Sequence, residues 1–271
     1  MERYEKLFIN LNNNKQGAFI PFLMLGDPNF NMSLKIIEFL ILKGADALEL
    51  GIPFSDPLAD GIIIQNSVLR SFKSGITLKK CFKIISIIRK KYSNIPIGIL
   101  TYANLVFYKG INNFYYNCQK SGIDSVLIAD LPLEESKLFI KYSNTNNIKQ
   151  VFICPPNSDD NLLRKISIYS KGYTYLLSRS GVTGTEKKIK KPDSYIINKL
   201  IEYNSSPIIQ GFGIFKPSQV SDAIKLGISG VISGSAIIKI IEQNQINSEK
   251  MFKKLNKFIK IMKKSTFFII S

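Results

Sequence analysis

Three carboxyl groups, Glu49, Asp56 and Asp60, are the side chains best spaced to do chemistry in this sequence. Residues 46–50 read Asp-Ala-Leu-Glu-Leu, and this alternation predicts a strand in which the leucines face one side and Glu49 the other. Residues 51–61 are rich in Pro, Ser, Asp and Gly, which predicts a stiff loop that holds Asp56 and Asp60 near Glu49. A carboxyl whose pKa is raised by burial, beside one that stays ionised, is an arrangement used for proton transfer. A paired structural Glu followed by ordinary turn residues is the alternative interpretation.

The composition is that of a globular protein, with 271 residues, 45% hydrophobic and 21% charged. No linker, low-complexity tract or charge-segregated half interrupts the chain, so we predict one domain over residues 1–271. No apolar run approaches the length of about eighteen residues that a membrane span needs. The first residues carry charge and no secretory signal pattern, so we expect a cytoplasmic protein.

Several kinds of catalysis are excluded by residue usage. The chain has no histidine, which removes Ser-His and Cys-His nucleophiles, His-ligated metals and every His base. The three cysteines, Cys81, Cys118 and Cys154, are odd in number and far apart, which fits neither a disulfide framework nor a zinc site. We therefore predict no metal, and proton chemistry that depends on carboxylates, Tyr, Lys or Cys.

A formal net charge of +17 raises the possibility of a nucleic-acid partner. Its lysine pairs are spread along the chain instead of being gathered on one element, which is typical of solvated helix faces. We predict no nucleic-acid partner and no membrane partner. A basic nucleic-acid or scaffold protein built on the same fold remains an alternative. The pairs are Lys79-Lys80, Lys90-Lys91, Lys187-Lys188, Lys190-Lys191, Lys253-Lys254 and Lys263-Lys264.

Apolar strands and helical stretches alternate along the whole chain, and glycine follows the helix at several joints. This pattern predicts a single (β/α)8 TIM barrel, of class α/β, with extra helices at the N-terminal and C-terminal ends. An open doubly wound sheet is the alternative. The strands are predicted at 18–25, 46–50, 95–102, 125–129, 150–154, 173–177, 207–210 and 230–232. The helices are predicted at 3–11, 33–43, 78–91, 111–120, 134–144, 161–170, 195–203, 217–225, 235–242 and 249–264.

Catalytic groups of such a barrel lie at the C-terminal ends of the strands. Asp46 and Asp124 stand at strand starts, so we predict structural roles for both. No lysine lies within a predicted strand, which argues against a Schiff-base aldolase. The ionisable candidates at the correct end are Asp27, Glu49, Asp56, Asp60 and Asp130.

Glycine-rich turns follow the last two predicted strands, as Gly211-Phe-Gly213 and Ser233-Gly-Ser-Ala236. Backbone N–H groups there and a helix N-terminus predict a phosphate site. The polar segment 178–192 predicts a mobile lid whose Gly184 reaches the phosphate. Apolar and aromatic residues at the strand ends favour an aromatic substrate body. They are Phe22, Leu100, Tyr102, Leu127, Ala129, Ile153, Tyr175 and Phe212.

The sequence resembles the tryptophan synthase α-subunit family over nearly its whole length. The most specific stretch is 48–61, Leu-Glu-Leu-Gly-Ile-Pro-Phe-Ser-Asp-Pro-Leu-Ala-Asp-Gly, supported by 1–5, 175–184, 210–213 and 232–236. The resemblance implies a lyase of tryptophan biosynthesis that cleaves indole-3-glycerol phosphate reversibly to indole and D-glyceraldehyde 3-phosphate. It implies no cofactor in this chain.

The resemblance also implies residue roles. Glu49 is the general acid–base, and Asp60 holds the indole N–H. Gly184, Gly213, Gly234 and Ser235 bind phosphate, and Thr183 meets Asp60 when the lid closes. Phe22, Leu100, Tyr102, Leu127, Tyr175 and Phe212 enclose the ring.

The implied partner is a pyridoxal-phosphate β subunit in an α2β2 heterotetramer. The matching contact positions are Pro53, Asp56, Pro57, Asn104, Asp130 and Pro132. Ile62 and Ile63 depart from the family pattern of Pro and a polar residue, so we expect a looser loop around Asp60. Two alternatives within this group of proteins are another phosphosugar barrel, such as an isomerase, and a non-catalytic α subunit that only activates its partner.

Overall fold

Short strands alternate with helices in the computed structural model, which describes residues 2–177 and 194–268. The strands are β1 (Ala18–Met24), β2 (Leu48–Gly51), β3 (Ile97–Thr101), β4 (Ser125–Ile128), β5 (Lys149–Val151), β6 (Ile153–Cys154), β7 (Thr174–Leu177), β8 (Ile208–Gly211) and β9 (Gly230–Ser233). The first helices are α1 (Arg3–Asn13), α2 (Phe30–Leu42), α3 (Ile62–Lys73), α4 (Leu78–Lys91), α5 (Ala103–Lys109) and α6 (Ile111–Ser121). The others are α7 (Lys137–Thr145), α8 (Asp160–Tyr169), α9 (Ser194–Glu202), α10 (Pro217–Lys225), α11 (Ser235–Glu242) and α12 (Ser248–Lys264), with a 3-10 turn at Leu133–Glu135.

The strands are parallel and follow the order β5-β4-β3-β2-β1-β9-β8-β7-β6. The terminal members β5 and β6 are consecutive pieces of one stretch, separated by Phe152. The Phe152 N–H bonds to Ser170 Oγ at 3.1 Å, while its carbonyl accepts from the Tyr175 N–H at 3.1 Å. The sheet therefore closes into eight strand positions, so the predicted barrel is confirmed and the open sheet is wrong.

Alternation along each strand divides the apolar residues into two layers. On β1, Ile20 and Phe22 point into the barrel, whereas Phe19 and Leu23 pack against the surrounding helices. This division follows from the period of two in a strand and the period of 3.6 in the helices that cover the sheet. That the whole chain, 1–271, forms a single domain stays a prediction.

Two helices were not predicted, α3 and α5. Ile62 and Ile63 open α3 after the Gly61 cap, so the expectation that they belong to a loop is wrong. The exclusion of lysine from the strands is also wrong, because Lys149 begins β5. Lys149 lies at the N-terminal end of its strand and pairs with Glu2 at 2.7 Å, so it is no candidate for catalysis.

The segment after α12 is joined to the chain that leads into β1. The Gly17 N–H donates to the Thr266 carbonyl at 2.8 Å, and the Phe268 N–H donates to the Lys15 carbonyl at 3.0 Å. Phe267 forms an isolated antiparallel bridge with Gln16. The backbone after α12 is therefore tied to the segment that leads into β1.

Candidate active site

Glu49 lies on β2 with its side chain inside the barrel, and the residue is 1% exposed. The Tyr173 hydroxyl donates to Glu49 Oε1 at 2.9 Å. Opposite Glu49 on β3 stands Gly98, where a Cβ would lie 2.7 Å from Ser125 Oγ and 3.1 Å from the Tyr4 hydroxyl oxygen. Because Gly98 has no side chain, the buried hydroxyl groups of Ser125 and Tyr4 fit beside the Glu49 carboxylate.

The environment of Glu49 favours its neutral form. Burial raises the pKa of Glu49 from 4.5 to about 7, and the hydrogen bond from Tyr173 opposes part of this rise. Burial and the nearby carboxylate raise the pKa of Tyr173 well above its usual value, so Tyr173 remains a donor at neutral pH. A carboxyl with a pKa near neutrality can both give and take a proton.

Asp60 ends the loop that follows β2 and is 6% exposed. The Tyr102 hydroxyl donates to Asp60 Oδ2 at 2.9 Å and accepts from the Ala59 N–H at 3.3 Å. The Tyr102 ring stacks on Phe54, with 5.0 Å between ring centroids. Burial raises the pKa of Asp60 from 3.8 to about 6, while the Tyr102 hydrogen bond lowers it.

Glu49 and Asp60 line the same pocket, at the C-terminal ends of the strands, and its empty volume is about 690 Å³ including the part open to solvent. The predicted ring contacts Phe22, Leu100, Leu127, Tyr175 and Phe212 also line it. Tyr102 is absent from the lining and reaches the pocket through Asp60. The remaining lining residues are Ala59, Ile64, Ala129, Ile153, Gly213, Ile214, Phe215, Ile232, Gly234, Ser235 and Ala236.

The phosphate candidates lie together at one side of this pocket. Gly213 follows Phe212, and both have positive φ angles, 71° and 65°. Gly234 caps α11, whose first residues are Ser235 and Ala236, and all three line the pocket. The free N–H groups and the positive dipole end of a helix N-terminus favour an anion there.

A glycine on β8 allows one aromatic residue to enter the pocket. A Cβ at Gly211 would lie 2.0 Å from the Tyr175 hydroxyl oxygen, so any larger residue would displace this ring. The Tyr175 ring meets Phe212 edge to face at 6.2 Å. Both rings line the pocket that also contains the carboxyl groups and the phosphate candidates.

The other carboxylates considered in the sequence analysis do not line the pocket. Asp27 is buried and paired with Arg70, and the structure places Asp46 and Asp124 in ion pairs at the strand starts. Asp56 and Asp130 are exposed and do not line the pocket, so the prediction that Asp56 lies near Glu49 is not supported. Thr183, Gly184 and the proposed lid 178–192 lie outside the described residues.

The predicted partner contacts have unequal exposure. Pro53 is buried and Pro57 is half-buried. The Asp130 side chain accepts from the Ala103 N–H at 2.8 Å, which ties the loop after β4 to the start of α5. The exposed contact positions are Asp56, Asn104, Asp130 and Pro132.

Tyr173 is the main site residue that was not predicted. Tyr173 directly precedes β7 and stands two residues before Tyr175, so both side chains point into the barrel, and this spacing could have revealed it. Ile64 was missed because α3 was missed.

No group of three His, Cys, Asp or Glu side chains within 2–177 and 194–268 is arranged to hold a metal ion. None of the helices described here is long and apolar enough to cross a membrane.

Comparison with known proteins identifies the family of this chain. The family model described as tryptophan synthase alpha chain matches residues 8–267. A tryptophan synthase alpha chain of Escherichia coli strain SMS-3-5 is 57% identical over 266 residues, covering 98% of this chain and 99% of the relative.

Solved structures show the same similarity. A chain of the tryptophan synthase α2β2 complex of Pyrococcus furiosus superposes with a TM-score of 0.83 and 35% identity, covering 92% of this chain and 98% of the other. A chain from Aquifex aeolicus VF5 has a TM-score of 0.88 and 28% identity, covering 99% and 100%. The family match and the curated relative together show that this chain belongs to the tryptophan synthase alpha-chain family, a family of lyases.

Proposed function

We propose that this chain cleaves indole-3-glycerol phosphate reversibly to indole and D-glyceraldehyde 3-phosphate by carboxylate acid–base catalysis. Membership of the family supports the reaction. One observation supports the residue assignment above all: two buried carboxyls with pKa values raised to about 7 and about 6 share a pocket with a helix N-terminus. Such a pocket has proton-transfer groups at one end and an anion site at the other.

Glu49 is the proposed general acid and base. In the cleavage direction, the protonated carboxyl gives its proton to the indole C3 atom, which places positive charge on the ring nitrogen. The resulting carboxylate takes the proton of the adjacent glycerol hydroxyl as the carbon–carbon bond breaks. The bond electrons return to the ring, the hydroxyl carbon becomes the aldehyde, and Glu49 ends the step protonated. A pKa of about 7 suits both directions of transfer.

Asp60 is the proposed partner of the indole N–H. Its carboxylate accepts this hydrogen bond and stabilises the positive charge that develops on the ring nitrogen after C3 is protonated. The Tyr102 hydroxyl, 2.9 Å from Asp60 Oδ2, holds the carboxylate in place. Because the pKa of Asp60 is raised only to about 6, the group is largely ionised at pH 7.

The remaining site residues bind the two ends of the substrate. Gly213, Gly234 and Ser235 are proposed to bind the phosphate, joined by Gly184 from the lid. Thr183 is proposed to meet Asp60 in the closed state. The indole ring is proposed to lie among Phe22, Leu100, Tyr102, Leu127, Tyr175 and Phe212.

The chemistry proposed here consists of proton transfers by side chains of this chain, and the expectation that it uses no cofactor stays a prediction. We further propose that the chain pairs with a β subunit that carries pyridoxal phosphate, in an α2β2 heterotetramer. The solved α2β2 complex of the Pyrococcus furiosus relative supports this pairing. The exposed contact positions Asp56, Asn104, Asp130 and Pro132 are the ones we expect to meet it. The cytoplasmic location also stays a prediction.

Indole release from indole-3-glycerol phosphate, with and without a β subunit, tests the proposal. We expect release by the wild-type chain and a loss of about 10³-fold or more in kcat for Glu49→Gln, with substrate binding retained. Asp60→Asn should lower kcat/KM by about 10²-fold, because one charge-stabilising contact is weakened. A wild-type chain that binds the β subunit but releases no indole would show a non-catalytic α subunit instead.

A further inference from the structure

A partly buried ionic cluster lies outside the pocket lining and is not explained by the reaction. Arg70 donates two hydrogen bonds to Asp27, from Nε to Oδ1 and from Nη2 to Oδ2, each 2.8 Å long. Arg70 Nη1 donates to Glu242 Oε1 at 2.7 Å. The Ser67 hydroxyl also donates to Asp27. We call Asp27, Ser67, Arg70 and Glu242 the Arg70 cluster.

The Arg70 cluster joins three elements that reach the active site. Arg70 lies in the last turn of α3, Glu242 is the last residue of α11, and Asp27 follows β1. The two helices pack against each other and against β1. At their opposite ends both helices meet the pocket, α3 through Ile64 and α11 through Ser235. The Arg70 cluster therefore connects the C-terminal ends of α3 and α11, and the N-terminal ends of the same two helices line the pocket.

The first turn of α3 is bound directly to Asp60. Gln65 Nε2 donates to the Asp60 carbonyl at 2.7 Å, and the Ile64 and Gln65 N–H groups bond to the Gly61 carbonyl at 2.9 and 3.0 Å. With twelve residues, α3 is about 18 Å long and behaves as a stiff rod. A shift of α3 at Arg70 would consequently move Asp60 relative to α11.

Local helix stability does not account for this arrangement. A carboxylate at the C-terminus of α11, where Glu242 lies, is unfavourable for the helix dipole. The Asp27 and Arg70 side chains are only 2% and 15% exposed, so their ion pair carries a desolvation cost that limits its net contribution to stability. Buried ionic groups of this kind can instead specify how elements are placed relative to one another.

We propose that Arg70 is a positioning residue, which through Asp27 and Glu242 fixes α3 against α11 and so sets the place of Asp60 relative to the phosphate-binding end of the pocket. This inference rests on the role proposed above for Asp60. Arg70 touches no substrate atom, and its effect passes through α3.

Binding measurements separate positioning from a general effect on the fold. An indole-3-alkyl phosphate without hydroxyl groups cannot be cleaved, so its Kd can be measured by calorimetry for every variant. We expect Arg70→Met to raise this Kd about tenfold, since a small displacement of a positioned group is costly. The Kd of glycerol 3-phosphate, which lacks the ring, should change by less than about twofold. Equal losses for both ligands would overturn the proposal.

A double-mutant cycle tests whether Arg70 acts through Asp60. In the Asp60→Asn background, Arg70→Met should change the Kd of the indole-3-alkyl phosphate by less than about twofold, because the contact that Arg70 positions is already weakened. Independent effects that multiply would contradict the inference. The proposed function fails in a different way, if the wild-type chain releases no indole or Asp60→Asn binds the indole-3-alkyl phosphate as well as wild type.

The matched control is Lys263→Met, which breaks another largely buried ion pair, with Asp46, at the opposite end of the barrel. It should destabilise the chain yet leave both Kd values within about twofold of wild type. Arg70→Lys retains the charge without the bidentate fork, and we expect an intermediate Kd. If Arg70→Met does not fold, Arg70→Lys is carried through the same cycle, and an unchanged Kd for the indole-3-alkyl phosphate would overturn the proposal.

Discussion

Two carboxylates at the strand starts, at the N-terminal end of the barrel, are paired with cations, whereas the two carboxyls in the pocket at the C-terminal end accept hydrogen bonds from tyrosine hydroxyls. Asp124 accepts from Arg3 and Arg89, each at 2.7 Å, and from the Ile97 N–H at 2.7 Å. Asp46 lies 2.5 Å from Lys263 Nζ. Among the residues that the structure describes, Glu49 and Asp60 have no such ion pair and accept from tyrosine hydroxyls.

The difference follows from what each end must do. A cation beside a buried carboxylate opposes the effect of burial and fixes the chain. At Asp46, burial raises the pKa and Lys263 counteracts part of that rise. A neutral hydroxyl leaves most of the burial effect in place, so the proton affinity of the carboxyl stays high. The ion pairs at the strand starts thus hold the barrel together, and the two pocket carboxyls, Glu49 and Asp60, remain able to exchange protons near neutral pH.

The largest expected effect is a loss of stability at the N-terminal end. Asp124→Asn removes the charge that Arg3 and Arg89 share, and the remaining buried guanidinium should lower the free energy of unfolding by about 4 kcal/mol. Urea unfolding measures this loss. The kcat of the folded variant should stay within about twofold of wild type, since Asp124 lies far from the pocket lining. A large loss of kcat would break the division between the two ends.

Glu49→Gln should have the opposite effect on stability at high pH. Because burial raises the pKa of Glu49 from 4.5 to about 7, the folded wild type holds a proton that the unfolded chain has lost. Wild-type stability therefore falls as pH rises from 4.5 to about 7, and the variant escapes this cost. At pH 8 the variant should be more stable by up to about 3 kcal/mol, and at pH 4 the advantage should vanish. Unfolding curves at both pH values decide the matter, and a variant advantage independent of pH would contradict it.

The smallest effect expected here is a shift in the pH profile of Tyr173→Phe. Cleavage begins with a protonated Glu49, so kcat/KM should fall as pH rises through the pKa of Glu49. Removing the Tyr173 hydrogen bond raises this pKa further, and the basic limb of the profile should move up by about one pH unit. Tyr4→Phe is the control, because its hydroxyl bonds to Ser125, at 2.8 Å, and not to Glu49. Equal shifts in both variants would show a loss of packing and not of the hydrogen bond.

Much of the barrel could be predicted from local patterns. The predicted bounds of α4, α10 and α11 agree with the structure, because their apolar spacing and end residues are clear in the sequence. The helix α3 was missed because it opens with three isoleucines, whose branched side chains favour strands. It is helical in the fold because Ile64 and Val68 pack into the barrel mouth beside Phe22.

The sequence by itself determined that Glu49 lies on a strand, that Asp60 ends a stiff loop, and that glycine-rich turns follow the last two strands. These features depend on neighbours within a few residues, where period and turn chemistry act. Only the tertiary structure decided which carboxylates meet a cation and which meet a hydroxyl, since Asp124 with Arg89, or Asp27 with Arg70 and Glu242, are far apart in the chain. Burial and charged neighbours from different elements set the pKa of a carboxyl, so its chemistry is fixed only when the barrel closes.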